Sequence, residues 1–294
     1  MKLGLGLPNT LTPHVNRKML LDWARAGDQA GFSTFGTIDQ PGYDSWDPLI
    51  TLAAVAAVTE RTRLLTSILQ LPNRNEVVVA KQAAVIDQLS GGRMDLGVAV
   101  GGRESDFTAL GARFAKRGKR FERQVRKIRK VWRDARKSTP EAGVTGPAPL
   151  QKKAPPIYIG GWTQPALRRA ARMGDGFVFA TVGPEMMGQL TPQIREWAVE
   201  AKRKSFSVGG IAYCAIGDDP RKALESGAAN VLRYYRGNLW TEPENLIHHG
   251  PPEVIAEAVK DYEAAGLDFL ILFPEIPDVR QVELLAENVL PSYR

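Results

Sequence analysis

The stretch from Leu64 to Phe107 limits the fold most, because it sets two short apolar runs around one amphipathic segment. Residues 64–69 are enough for a buried strand and too few for a helix. Over residues 76–90 the spacing turns helical. Val78, Val85 and Leu89, with Val79, Ala83 and Ile86, fall on one arc, while Lys81 and Gln88 fall opposite. Ser90-Gly91-Gly92 stops that helix, since glycine enters the left-handed region at little cost. Residues 94–100 form the second run, and Gly101-Gly102 ends it. Two buried runs joined by a helix pair in parallel, because a hairpin cannot carry that connection. Parallel strands of this kind place ligands at their carboxyl ends.

The same alternation runs along the rest of the chain. Residues 3–7 read as a strand, Arg17–Ala30 as a helix closed by Gly31, and 34–38 as the second strand. Asp47-Pro48 opens a helix to residue 59, with Asp47 as its cap and proline in its first turn. Later strands are expected at 157–159, 176–180, 207–215 and 269–273. Helices are expected through residue 172, then at 184–201, 220–233, 252–265 and 279–290. Residues 138–156, rich in Pro, Gly and Lys, read as a surface excursion because the alternation then resumes. Eight strands alternating with helices indicate an α/β fold, a (β/α)₈ TIM barrel with loop insertions spanning 1–294 as one domain. An open doubly wound sheet is the competing architecture.

Composition removes several classes of function. Hydrophobic residues make up 44% and charged residues 24%, as in ordinary water-soluble proteins. No apolar run approaches about 18 residues, and Met1-Lys2 leads straight into a strand with no signal-peptide layout, so a cytoplasmic protein is expected. The single cysteine, Cys214, excludes an internal disulfide and a cysteine-based metal cage. The histidines are His14 and the pair His248-His249, which reads as surface in a Pro/Gly loop; no metal site is expected, and a metal-dependent hydrolase is disfavoured.

Charge is concentrated in one place. Residues 113–137 carry 13 Lys or Arg against Glu122 and Asp134, a local +11 in a chain of net +7. Phe121, Val125, Ile128 and Trp132 recur there at helical spacing, so the segment is an amphipathic helix whose basic side reads as a solvated face. A protein that binds nucleic acid or another polyanion through this helix is the rival to an enzyme, but no aromatic interleaving supports it, and no nucleic-acid partner is expected. A third reading uses only Arg113, Lys116 and Arg117, whose end of the helix faces the strand exits and suits an anionic ligand.

Gly160-Gly161-Trp162-Thr163 follows a strand and precedes a helix, a pattern that offers free N–H groups to an anion and serves equally as a structural turn. Together with Asp47-Pro48, Arg61-Thr62-Arg63-Leu64, Ala80-Lys81-Gln82-Ala83-Ala84, Leu89-Ser90-Gly91-Gly92-Arg93, Leu96-Gly97-Val98, Arg117-Gly118 and Gly174-Asp175-Gly176, these residues resemble the luciferase-like monooxygenase superfamily over nearly the whole chain. The resemblance implies a TIM barrel holding reduced FMN or the deazaflavin F420 at the strand exits, a small-molecule substrate and a homodimer.

By position the resemblance places Asp39 beside the cofactor ring and Thr66-Ser67-Ile68 at a non-prolyl cis peptide against it. It places Val100-Gly101-Gly102 at the ring contact and Gly160-Gly161-Trp162-Thr163 near the phosphate. Asn9 and Trp46 are expected in the substrate pocket. Sugar-phosphate dehydrogenases of the superfamily have histidine after the aspartate, where this chain has Gln40. Glutamine cannot take a proton at neutral pH, so reduction or monooxygenation is favoured over alcohol oxidation, with His14, on a different loop, as the candidate substitute base. F420 is slightly favoured over FMN, because its anionic tail suits the basic helix start.

Overall fold

The structure, a computed structural model, describes residues 1–137, 146–237, 239 and 241–293. Eight strands close into a parallel barrel. They are β1 (Lys2–Gly6), β2 (Thr34–Thr37), β3 (Arg63–Thr66), β5 (Met94–Ala99), β6 (Ile157–Gly161), β7 (Gly176–Phe179), β8 (Ser207–Ile216) and β10 (Phe269–Pro274). Each pairs in parallel with the next, and β10 pairs with both β8 and β1 to shut the ring. Two short strands lie off the ring: β4 (Leu69–Gln70) pairs with β5, and β9 (Ile247–Gly250) pairs with β8. The helices are α1 (Arg17–Ala30), α2 (Pro48–Ala56), α3 (Glu76–Leu89), α4 (Glu104–Ala109), α5 (Arg117–Ala135), α6 (Gln164–Met173), α7 (Pro184–Glu200), α8 (Pro220–Tyr234), α9 (Pro252–Ala264) and α10 (Arg280–Asn288). The TIM-barrel expectation holds, and the open sheet does not.

Local chemistry sets the helix ends. Asn16 accepts from the Met19 N–H, and Asp47 accepts from Leu49 and Ile50, each satisfying orphan donors of a first turn. Gly31 closes α1 at φ 91°. Along β10 alternate residues serve two cores. Leu270 and Leu272 pack outward under the helices, whereas Phe269, Ile271 and Phe273 join Leu65, Val178, Ile211 and Tyr213 inside the barrel. In α5, Phe121, Val125, Ile128 and Trp132 are buried as their spacing requires, and Arg129 pairs outward with Asp175 at 2.7 Å.

Several expectations need correction. Val79, Ala83 and Ile86 of α3 are buried, but Val78 and Leu89 are 52% and 55% exposed and Val85 also faces outward. The barrel covers only part of the apolar arc that the periodicity marks. His248 and His249 lie on strand β9 and are half-buried, not in a surface loop, because pairing with Cys214 and Ala215 of β8 draws them in. The helix α4 has no counterpart in the sequence reading. Of the excursion at 138–156, residues 138–145 lie outside the described residues. No helix among the described residues is long and apolar enough to cross a membrane.

The strand exits depend on one close approach. Thr66 Oγ1 donates to the Gly97 carbonyl at 2.7 Å and accepts from the Gly97 N–H at 3.0 Å. A Cβ at Gly97 would sit 1.9 Å from the Thr66 carbonyl oxygen, a backbone atom that cannot rotate away. Gly97→Ala is therefore expected to cost about 3 kcal/mol, the upper range for forced overpacking, and a fall in the urea midpoint without change in slope checks it.

Candidate active site

At the exit of β2 the chain places a carboxylate, and the surrounding loops close on it. Asp39 Oδ2 accepts from the Gln70 backbone N–H at 2.8 Å, and Oδ1 accepts from Arg74 Nη2 at 2.8 Å. Arg74 Nη1 also donates to Asp47 at 3.1 Å, and Gln70 Nε2 donates to Asp106 at 2.7 Å. Burial pushes the Asp39 carboxyl above the usual carboxylate range, and the Arg74 guanidinium opposes that shift. Asp39 thus faces Arg74 and β4, with its side chain 2% exposed.

Asn9 works similarly. Its Nδ2 donates to the carbonyls of Ile38 and Trp46 at 2.8 and 3.1 Å, and its Oδ1 accepts from the Ile38 N–H at 3.2 Å. Asn9 is wholly buried, so it stitches the exits of β1 and β2 and does not line open space. Trp46 is half-buried against that stitch. His14 is exposed on the loop after β1.

The exits of β3 to β6 are more open. The Ser67–Ile68 peptide is cis, as expected. Ser67 is buried beneath, its Oγ donating to the Thr37 carbonyl at 3.3 Å. Ile68 is half-buried and lies over Gly160: a Cβ there would come within 1.6 Å of Ile68 Cδ1. Gly101 takes φ 78°, and its carbonyl accepts from Arg117 Nε at 2.9 Å. Val100 and Gly101 are half-buried, and Gly102 is exposed. Gly161 takes φ 143° and leads to Trp162 and Thr163, both exposed, and Thr163 leaves the first turn of α6 without a side-chain cap. Strand register puts these exits side by side, with Gln70 opposite Ala99, Val98 opposite Ile159, and Gly161 opposite Phe179. At the start of α5, Arg113 and Lys116 are exposed, while Arg117 lies 3.6 Å from the Phe114 ring centroid.

Around Gln40, which the sequence marked, the mouth also holds groups that sequence reasoning missed. Gln40 is buried, and its Oε1 accepts from Arg103, the residue directly after Gly101-Gly102. Tyr43, Tyr234 and Tyr235 gather there; only the position of Arg103 after a glycine pair signalled it. Glu275, directly after β10, is buried and accepts from Asn230, whose Oδ1 accepts from Arg233 at 2.7 Å. Arg233 in turn donates to the Thr10 carbonyl at 2.6 Å and to Thr12 at 2.9 Å, which ties the last strand's exit to the first.

Burial pushes the Glu275 carboxyl up to about 8, against the pull of Asn230 and Arg233. A raised folded value means that the proton stabilises the fold below about pH 4.5, and that this stability drains away as pH rises to about 8. Glu275→Gln, which keeps the shape and cannot ionise, is expected to be more stable than the parent at pH 8.5 by about 3 kcal/mol, with the gap closing toward pH 4.5. Melting curves across that range check it.

Comparison with known proteins places this geometry. The family model for luciferase-like monooxygenase matches residues 1–268. A putative coenzyme F420-dependent oxidoreductase of Mycobacterium tuberculosis is 30% identical over 91% of this chain and 83% of its own length. The FMNH(2)-dependent dimethylsulfone monooxygenase of Pseudomonas putida is 25% identical over 95% of this chain and 87% of its own. Among solved structures, a monooxygenase from Streptomyces bottropensis superposes with a TM-score of 0.83 at 23% identity, with full coverage of both chains. The F420-dependent tetrahydromethanopterin reductase of Methanopyrus kandleri gives 0.79 at 18% identity, again with full coverage of both. The chain belongs to the luciferase-like monooxygenase family of oxidoreductases.

Proposed function

We propose that the protein seats F420 or reduced FMN on the half-open rim of Ile68, Val100-Gly101-Gly102 and Gly160-Gly161-Trp162-Thr163, and reduces or monooxygenates a small organic substrate. The observation that carries this reading is the close approach of half-buried Ile68 to the bare backbone of Gly160. No side chain fits between its backbone and Ile68, and the glycines beside it leave the rim free for a flat group to approach. The uncapped first turn of α6 supplies N–H donors and a dipole suited to a phosphate. When bound, the cofactor supplies hydride transfer or, as reduced flavin, oxygen activation.

The residues around it position and shield. Ile68 backs the ring, with Thr66 and Ser67 fixing its turn from below. Asp39 acts through Gln70 and Arg74, shaping the rim. Trp46 walls the apolar side, and Gln40 orients substrate without exchanging a proton, which supports reduction or monooxygenation over alcohol oxidation. F420 is favoured over FMN, because Arg113 and Lys116 are exposed and suit an anionic tail. The proposal includes a cytoplasmic homodimer. Ile50 on α2 is 69% exposed, and Val78, Val85 and Leu89 are bare on α3, which packs against α2; a second copy would cover these apolar residues.

Titration with F420 and with FMN, followed by fluorescence, tests the reading. At least one is expected to bind with a Kd on the order of micromolar, F420 more tightly. Gly160→Ala is expected to weaken that binding about tenfold, ~1.4 kcal/mol, by displacing Ile68, with the melting temperature little changed. No binding of either cofactor at about 100 μM would overturn the proposal.

A further inference from the structure

We infer that Arg103 is the anchor for a carboxylate on the substrate, so that the enzyme acts on a small organic acid. This rests on the oxidoreductase reading above and adds the substrate class to it. Arg103 stands at the mouth, its guanidinium carbon 5.0 Å from the ring centroids of both Tyr43 and Tyr235, and among the described residues it donates one hydrogen bond, to Gln40 Oε1. The aromatic faces hold the plane of the guanidinium, and no described residue fills its remaining in-plane donors.

Three other part-buried arginines near the barrel have their charge or their donors met, although the Arg74 Nε has no partner among the described residues. Arg63 pairs with Asp95 at 2.5 Å, and Arg74 pairs with Asp39 and Asp47. Arg93 has no carboxylate, but its three guanidinium nitrogens all donate, to the Ser90, Thr62 and Thr59 carbonyls among others. Among the described residues, no carboxylate lies within 4.0 Å of the Arg103 nitrogens. A guanidinium keeps its charge at every physiological pH and carries five donors in a planar fork, so an unfilled one favours a planar, bidentate anion.

A second orphan donor stands in the same cluster. The Tyr234 hydroxyl is buried and has no hydrogen-bond partner among the described residues. Its ring lies 6.2 Å from Tyr43 and 5.0 Å from Tyr235 between centroids. Burial pushes its phenol well above the ordinary range, so it stays protonated and able to donate. A buried hydroxyl without a partner is unusual in a folded protein, and an incoming carboxylate oxygen satisfies it. Arg236, exposed and 4.7 Å from the Tyr43 centroid, adds positive potential at the entrance.

Benzoate serves as probe, with benzamide as its neutral counterpart and benzenesulfonate as a non-planar anion. Binding to the cofactor-loaded protein is measured by calorimetry for the parent, Arg103→Lys, Arg103→Met and Tyr234→Phe, each first checked by melting curve. Benzoate is expected to bind the parent and to lose at least tenfold in Arg103→Met, less in Arg103→Lys, and severalfold in Tyr234→Phe. Benzamide is expected to bind weakly and equally throughout. Equal binding of benzoate and benzamide, or unchanged benzoate affinity in Arg103→Met, overturns the inference; tighter binding of benzenesulfonate overturns the carboxylate assignment. Cofactor affinity is titrated separately in each variant, so loss of the anion site is told apart from failure of the oxidoreductase reading.

Discussion

The buried ion pair between Asp39 and Arg74 governs how the mouth of this barrel is built. A carboxylate removed from water is tolerated only if it is paired and hydrogen-bonded, and Asp39 meets both conditions through Arg74 and the Gln70 N–H. Arg74 reaches on to Asp47, the cap of α2, and Gln70 to Asp106 in α4. One interaction therefore fixes the exit of β2, the short strand β4 and two helix starts. Removing one partner leaves a charge stranded in the protein, which is far more damaging than the pair is favourable.

Rigid support on that side permits an open rim on the other. Ile68 stays half-exposed over Gly160 because Thr66 is locked to Gly97 and Ser67 to Thr37 beneath it. Glycines at 101 and 161 take positive φ and hold backbone close to the opening without side chains in the way. On the far side, Glu275, Asn230 and Arg233 tie the last strand exit to the loop after the first. The mouth is thus a ring of bonded strand exits with one half-exposed arc, the arrangement expected where a flat ligand must enter.

Much of this was legible in the sequence because it depends on local chemistry. The alternation of runs, the Asp47-Pro48 start and the Gly31 stop are short-range signals, and the structure follows them closely. The Ser67–Ile68 cis peptide came from resemblance, not from composition. What stayed hidden depends on partners distant in the chain. Nothing near Asp39 announces that Arg74, 35 residues on, will take its charge. Strand β9, with two histidines in four residues, lacks a strand pattern and exists because β8 offers it an edge. Arg103 and Tyr234 come to the same tyrosine cluster through the closure of the barrel, so nothing along the chain marks the Tyr234 hydroxyl as lacking a partner among the described residues. Periodicity marked the apolar arc of α3 but not which part of it the barrel would cover.

The central claim is that the open arc at Ile68, Gly101 and Gly160 is the cofactor seat. A crystal structure of the protein grown with F420 or FMN tests it most directly. The account predicts the ring against Ile68, with the phosphate at the first turn of α6 beside Gly161 and Thr163. A ring bound elsewhere, or a phosphate held on the outer basic face of α5 with this rim empty, would contradict it.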